Sequence, residues 1–333
     1  MIQSKEKMNS STSKLRVGVV GVGYLGKFHA EKYAHMPDVE LVGVVDTDET
    51  AANAIAEKFN TTPYTDYTAL LDKIDAVSIV VPTAAHFPTS HFFLSHDVDV
   101  LIEKPMTATI EEAEKLLEIA EKRGCIIQVG HLERFNPAVV ALKGHINQPR
   151  FIESHRLSQF KERGLDVSVV LDLMIHDIDI ILNFVRSPIK TIHAAGIAVI
   201  SNNIDIANAR LQFNNGCVAN VTASRISMKN ERKIRIFQKD AYTSVDFANN
   251  EITIIRPGDQ QTDEIIPGMT IEQKSFSKAD ALDDELKSFV RSVIKRQSPE
   301  VTGQMGRDAL NIALSIMEQI QQNSELINLK INR

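Results

Sequence analysis

Short apolar runs alternate with amphipathic stretches through residues 15–130, and that rhythm predicts strands alternating with helices. Strands are expected over 15–20, 40–45, 76–81, 98–102 and 126–130, with helical segments after Tyr24, over 67–72, over 86–95 and over 109–123. Strands joined through helices run parallel and are covered on both faces, so this half reads as a doubly wound sheet ending near Arg134. From Arg150 the rhythm changes. One apolar helix over 169–185 is followed by strands over 189–200, 204–213, 217–226, 233–238, 241–247 and 251–255, joined by turns such as Asn214-Asn215-Gly216 and Asn249-Asn250. Such short connections predict antiparallel pairing in an open sheet. One face would pack on the helix, and the other would meet a second copy of the chain as a homodimer or homotetramer. Helices over 281–294 and 304–322 are expected to return toward the first domain. The fold class is therefore α/β: a doubly wound N-terminal domain over 15–136, then an α+β domain over 137–300 with an open, mostly antiparallel sheet, then a C-terminal helix over 301–333. A polar, Ser- and Lys-rich extension over 1–14 lacks the apolar centre of a signal peptide and is expected to be disordered.

With 333 residues, 43% hydrophobic and 24% charged, the chain can fill two such domains. Its formal net charge of -6 argues against general attraction to nucleic acid or an acidic membrane, while leaving room for a local basic patch. The most apolar helix contains Asp172, His176, Asp177 and Asp179, so it does not read as a membrane span. Cys125 and Cys217 show no motif spacing. Neither a disulfide framework nor a metal site is expected, and a cytoplasmic location fits.

Chemistry first appears at Gly21-Val22-Gly23-Tyr24-Leu25-Gly26, where a strand runs into a helix. Gly21 permits a tight turn, Gly23 lets backbone approach a pyrophosphate, and Gly26 lets helix and strand pack closely. Asp46 ends the second strand, where a carboxylate accepts hydrogen bonds from ribose hydroxyls and repels a 2′-phosphate. Thr47 adds no cation, so NAD is favoured over NADP. Strand, glycines, helix and acid together predict a Rossmann domain.

Ligands of such sheets sit beyond the carboxyl ends of the strands. Those ends carry Pro82, Thr83 and His86, then Glu103-Lys104-Pro105, then His131, Arg134 and Asn136. Each polar residue alone also reads as a solvated loop residue; Lys104, set between an apolar strand and a proline, is the most constrained. On the apolar helix, Asp172 and His176 are one turn apart, two proton-handling groups on one face with Asp179 nearby, whereas Asp177 points elsewhere into solvent. A buried histidine satisfied by the aspartate four residues earlier is the plainer alternative. Arg156, Lys161 and Arg163, with Arg225, Lys229, Arg232, Lys233 and Arg235, form a basic cluster in an acidic protein. That cluster suits a pyrophosphate, or equally a solvated sheet face.

Together, the glycine motif, Asp46, Pro82-Thr83 with His86, Glu103-Lys104-Pro105, and Asp172 with His176 resemble the glucose-fructose oxidoreductase, inositol dehydrogenase and rhizopine catabolism (Gfo/Idh/MocA) family from Leu15 onward. The resemblance implies NAD-dependent oxidation of a sugar or cyclitol hydroxyl, with Lys104, Asp172 and His176 as the catalytic group and a Lys104-Pro105 peptide that can be cis. It implies an NAD site formed by Gly21, Gly23, Tyr24, Leu25, Gly26, Asp46, Thr47, Pro82, Thr83, His86, Glu103, Lys104 and Arg134. Asn136, Arg156, Arg163, Asp179 and Arg225 would then face the substrate. Within the family, the runs over 171–179, 205–210 and 221–225 are similar to bacterial enzymes of lipid A synthesis that oxidise the 3-hydroxyl of UDP-N-acetylglucosamine. That implies a nucleotide-sugar substrate and a pathway aminotransferase that consumes the ketone. Two alternatives stay open: a dehydrogenase of another nucleotide sugar, a free monosaccharide or inositol, and a non-catalytic NAD-sensing protein.

Overall fold

A computed structural model describes residues 14–160, 167–258, 268–277 and 279–331. The expected extension, apart from Lys14, and the basic residues Lys161 and Arg163 lie outside them. Two compact units divide the chain. One comprises residues up to Glu103 with Lys115–Gln128 and Leu286–Glu300, and the other comprises Lys104–Glu114, Val129–Glu285 and residues from Val301 onward.

In the first unit the apolar runs become β1 (Leu15–Val20), β2 (Val39–Val45), β3 (Thr62–Tyr64), β4 (Ala76–Ile79) and β5 (Asp99–Glu103), and β6 (Ile127–Gly130) completes the sheet. The order is β3-β2-β1-β4-β5-β6, with every pairing from β3 to β5 parallel. The direction of winding reverses between β1 and β4, which is where such sheets open a crevice at their carboxyl ends. Helices α1 (Gly26–His35), α2 (Glu49–Phe59), α3 (Thr83–Ser95) and α4 (Ile110–Arg123) alternate with the strands. Two details differ from the sequence expectation. The helix expected over 67–72 is a single 3₁₀ turn, Tyr67–Leu70, opened by the Asp66 carboxylate on Thr68 N–H and ended by an extended Leu71. The short edge strand β3 was not expected, because its Pro63 hides it from strand patterning.

The second unit adds the short helix α5 (Pro137–Val140), capped by Asn136, and then β7 (Phe151–Leu157). The apolar helix begins as a π-helical turn, Val170–Met174, and continues as α6 (Ile175–Val185). After it come β8 (Ile189–Ile197), β9 (Ile206–Phe213), β10 (Val218–Ser224), β11 (Glu231–Phe237), β12 (Tyr242–Asp246), β13 (Glu251–Pro257) and β14 (Met269–Ser275). These strands form an eight-stranded sheet in the order β14-β13-β12-β11-β7-β10-β9-β8. Its pairs are antiparallel except β7 with β10, so the sheet is mostly antiparallel, as expected. The cause of the exception is topological: the chain leaves β7, crosses through α6 and the β8–β9 hairpin, and returns beside β7 in the same direction.

α7 (Ala281–Lys295) and α8 (Gly303–Ile331) complete the described chain. Both were expected to return to the first domain. Most of α7 lies in the first unit, but α8 belongs to the second, where Ala309, Ala313, Ile316 and Ile320 share one core with Ile175, Ile178 and Ile181 of α6 and with the buried face of the sheet. Alternation on β7 sends Ile152, Ser154 and Arg156 to that buried face.

Candidate functional site

The glycine loop of the first unit has the features a dinucleotide needs. Gly21 has φ +87°, and a Cβ there would sit 2.2 Å from the Val80 carbonyl oxygen. A Cβ on Gly26 would sit 1.8 Å from the Gly21 carbonyl oxygen, so both positions are set by the fold itself. Gly23 is different: it is exposed, and a Cβ there would meet nothing within 4 Å. The fold supplies no reason for a glycine at Gly23, whereas a phosphate laid against its backbone would. No side chain caps the N-terminus of α1 and no acid occupies its first turn, so its partial positive charge stays available to an anion. At α2, by contrast, the Asp48 carboxylate accepts from Thr50 and Ala51 N–H.

The Asp46 carboxylate, half-buried after β2, accepts from Val22 N–H at 2.9 Å on one oxygen and from Asp48 N–H at 3.0 Å on the other. It therefore braces the glycine loop. Each oxygen keeps a lone pair for a ribose hydroxyl. Pro82 precedes α3 and Thr83 begins it, while buried His86 places Nε2 2.8 Å from the Val81 carbonyl oxygen. Tyr24 and Thr47 are exposed and Leu25 is partly buried. Glu103, at the end of β5, lies 3.3 Å from Nε2 of the fully buried His29. Sequence reasoning overlooked His29; its position on α1, three residues after Gly26, was the available signal.

The second unit gathers the ionisable residues. Lys104, joined to Pro105 by a cis peptide, donates from Nζ to the Asp172 backbone oxygen at 2.8 Å and lies 3.4 Å from its Oδ1. The π-helical turn makes this possible: Ile175 N–H bonds Val170, five residues back, and widens the ladder where Asp172 sits. Asp172 and His176 therefore do not stand one regular turn apart, as α-helical spacing predicts, and no hydrogen bond joins their side chains. Half-buried His176 leaves its Nδ1 shielded from solvent with no hydrogen-bond partner. Burial, reinforced by the positive charges of Lys104 and Arg156 and by His131 and Arg232, holds the His176 pKa well below the ordinary imidazole value. The imidazole is thus neutral at neutral pH and able to take a proton.

Around it, two buried ion pairs tie α6 to its neighbours. Arg134 Nη1 lies 3.4 Å from Asp179 Oδ1, both nearly inaccessible. Arg156 grips Asp177 with Nε and Nη2 at 2.9 and 3.0 Å and donates to Glu133 through Nη1 at 2.7 Å. This corrects two expectations. Asp177 is 1% exposed rather than solvated. Arg156, expected to face a diphosphate, has all three nitrogens engaged, because strand alternation turns it inward onto the helix. Asn136 caps α5 by accepting from Ala138 N–H at 3.0 Å. Arg225 is buried, bonded to the Val167 carbonyl and 4.0 Å from Asp205, whose carboxylate accepts from Val199, Ile200 and Ser201 N–H. Most of the remaining basic cluster is neutralised by nearby acids: Lys233 pairs across the sheet with Asp246 and Arg235 with Glu153, and Lys229 pairs with Glu231 two residues on.

Comparison with known proteins assigns both parts of the chain to one family. Residues 15–131 match the model described as "Oxidoreductase family, NAD-binding Rossmann fold", and residues 138–242 match the GFO/IDH/MocA C-terminal domain. The UDP-N-acetylglucosamine 3-dehydrogenase of Acidithiobacillus ferrooxidans is 38% identical over 308 residues, 92% of this chain and 97% of that protein. A solved structure of that dehydrogenase superposes with a TM-score of 0.89 at 37% identity, covering 93% of this chain and 98% of that one. The scyllo-inositol 2-dehydrogenase (NAD(+)) of Bacillus subtilis is 26% identical, covering 87% and 89%. Levoglucosan dehydrogenase in complex with NADH shares the fold, with a TM-score of 0.83 at 18% identity over 93% and 98%. The chain belongs to the GFO/IDH/MocA oxidoreductase family, and its first domain is that family's NAD-binding Rossmann domain.

Proposed function

We propose that the protein oxidises the 3-hydroxyl of UDP-N-acetylglucosamine to a ketone with NAD. Bound NAD supplies the hydride acceptor for the hydrogen on the sugar carbon. His176 takes the hydroxyl proton, a role that suits an imidazole held neutral by burial and by neighbouring cations. Lys104 donates to the same oxygen and stabilises its developing negative charge, while Asp172, through its backbone and carboxylate oxygens, fixes the direction of that ammonium. The reading rests above all on one observation, the meeting of Lys104 with a π-helical Asp172 beside a neutral His176. Near-complete two-way coverage with a 38% identical enzyme of that activity supports the choice of substrate.

A non-catalytic NAD sensor has no use for a proton acceptor kept neutral among cations, so the catalytic reading is favoured. The deciding experiment incubates the protein with NAD and UDP-N-acetylglucosamine, with UDP-N-acetylglucosaminuronate and myo-inositol alongside. NADH absorbance and product mass are followed, and a 3-ketosugar aminotransferase is added to draw off the ketone. A ketone two mass units lighter than UDP-N-acetylglucosamine without the aminotransferase, and an amine one unit lighter once the aminotransferase and its amino donor are present, with no product from myo-inositol, are expected. Turnover of myo-inositol alone would replace the substrate assignment.

A further inference from the structure

We infer that Arg232 is the anchor for the diphosphate of the substrate, an assignment that rests on the nucleotide-sugar reading above. Arg232 and Arg156 are register partners on the antiparallel strands β11 and β7, so their side chains leave the same face of the sheet. That face is the buried one. Ile234 and Ile236, at alternate positions beyond Arg232, are fully buried in the core. Arg232 nevertheless keeps its side chain 55% exposed. The inner face is thus uncovered at this one position of β11, and a cation stands in the opening.

The charges around it are unequally satisfied. Arg156 is bidentate with Asp177 and takes Glu133 Oε1 at 2.7 Å. Arg232 reaches that same oxygen only at 4.0 Å, outside hydrogen-bonding range. No other carboxylate of the described residues pairs with it. Lys233, Arg235 and Lys229 each have a nearer acid of their own. Arg225, the other arginine in this region first considered for a phosphate, is buried against Asp205 and a backbone carbonyl. Arg232 is therefore the inward-facing guanidinium with donors to spare, and its charge is felt at His176. A planar fork with unoccupied donors matches two phosphate oxygens, and an uncharged sugar would make no use of it.

The test measures UDP binding by calorimetry to the full-length protein in the presence of NAD, for wild type, Arg232→Met and Arg232→Lys. Charge-assisted contacts of this kind predict that Arg232→Met weakens UDP by about 10- to 100-fold, with Arg232→Lys between the two. KM for UDP-N-acetylglucosamine should rise in parallel while kcat and NAD affinity change little. If wild type binds UDP and Arg232→Met binds it equally well, the assignment to Arg232 falls and the substrate reading stands. If wild type binds no UDP and turns over no UDP-sugar, both fall together. Thermal unfolding of each variant separates lost binding from lost folding, and a folded Arg232→Lys that binds no better than Arg232→Met would also overturn a charge-based role.

Discussion

The two units build their sites from different materials. In the nucleotide-binding unit the groups that matter are mostly backbone: a loop bent by Gly21, a helix N-terminus left uncapped, and one carboxylate, Asp46, that holds the loop. In the second unit they are side chains with long-range partners, among them Lys104 on Asp172, Arg156 on Asp177 and Glu133, and Arg134 on Asp179. A backbone site can be changed by adding an atom where the fold has room. A side-chain site made of buried ions cannot be touched so lightly, because each charge stabilises another.

The largest effect that separates the two belongs to His176. Replacing it with alanine should lower kcat by about 10²- to 10⁴-fold, the usual contribution of general base assistance, and leave NAD affinity in a fluorescence titration unchanged. Unaltered turnover would remove His176 from the reaction. The same residue fixes a pH dependence. Its folded pKa lies below the ordinary value, so the acid limb of kcat/KM should fall below pH of about 6.5 and vanish from the profile of no other variant that retains His176. For stability the sign is equally definite. The unfolded chain binds the proton first as pH drops, so the stability His176 contributes above about pH 6.5 is lost progressively as pH falls toward its folded pKa.

A smaller but still severe effect is expected at the buried pair. Arg156→Met leaves the Asp177 carboxylate buried without its cation and should destabilise the second unit by about 3–5 kcal/mol, read from urea unfolding with hydrogen exchange along α6, while Asp177→Asn, which leaves Arg156 its bond to Glu133, should cost less. Arg156→Met combined with Asp177→Leu removes both charges and should recover much of that loss. If the single variants unfold like wild type, the pair contributes only surface electrostatics.

This contrast explains how much could be read from the sequence. The glycine loop was legible residue by residue because Gly21, Gly26 and Asp46 act through local geometry, and local geometry leaves a fixed spacing. The mixed sheet was legible as a run of strands, but its parallel pair β7–β10 follows from a crossover that no local pattern records. The fate of Arg156 was hidden for a related reason: alternation predicts that it turns inward, yet Asp177 and Glu133, which receive it, lie far away in the chain or on another element. The π-helical turn escaped as well. An extra residue within a helical turn breaks the i to i+4 logic that placed Asp172 under His176, and the composition of Val170-Leu171-Asp172-Leu173-Met174 does not announce it.

The smallest predicted change in stability gives the sharpest contrast between the units. Gly23 does not occupy the positive-φ region, and an added Cβ meets no protein atom, so Gly23→Ala removes freedom from the unfolded chain without straining the folded one. The cofactor-free protein should therefore gain about 0.4–1 kcal/mol in unfolding stability. NAD affinity should move the other way, because the new methyl stands where the loop backbone must approach a pyrophosphate. Gly26→Ala is the control: its Cβ would collide with the Gly21 carbonyl, so stability and NAD affinity should both fall. Opposite signs at Gly23 and matching signs at Gly26, measured by thermal unfolding and NAD titration, would mark Gly23 as a position kept for the ligand alone. A Gly23→Ala protein that binds NAD as wild type does would show that the pyrophosphate lies elsewhere.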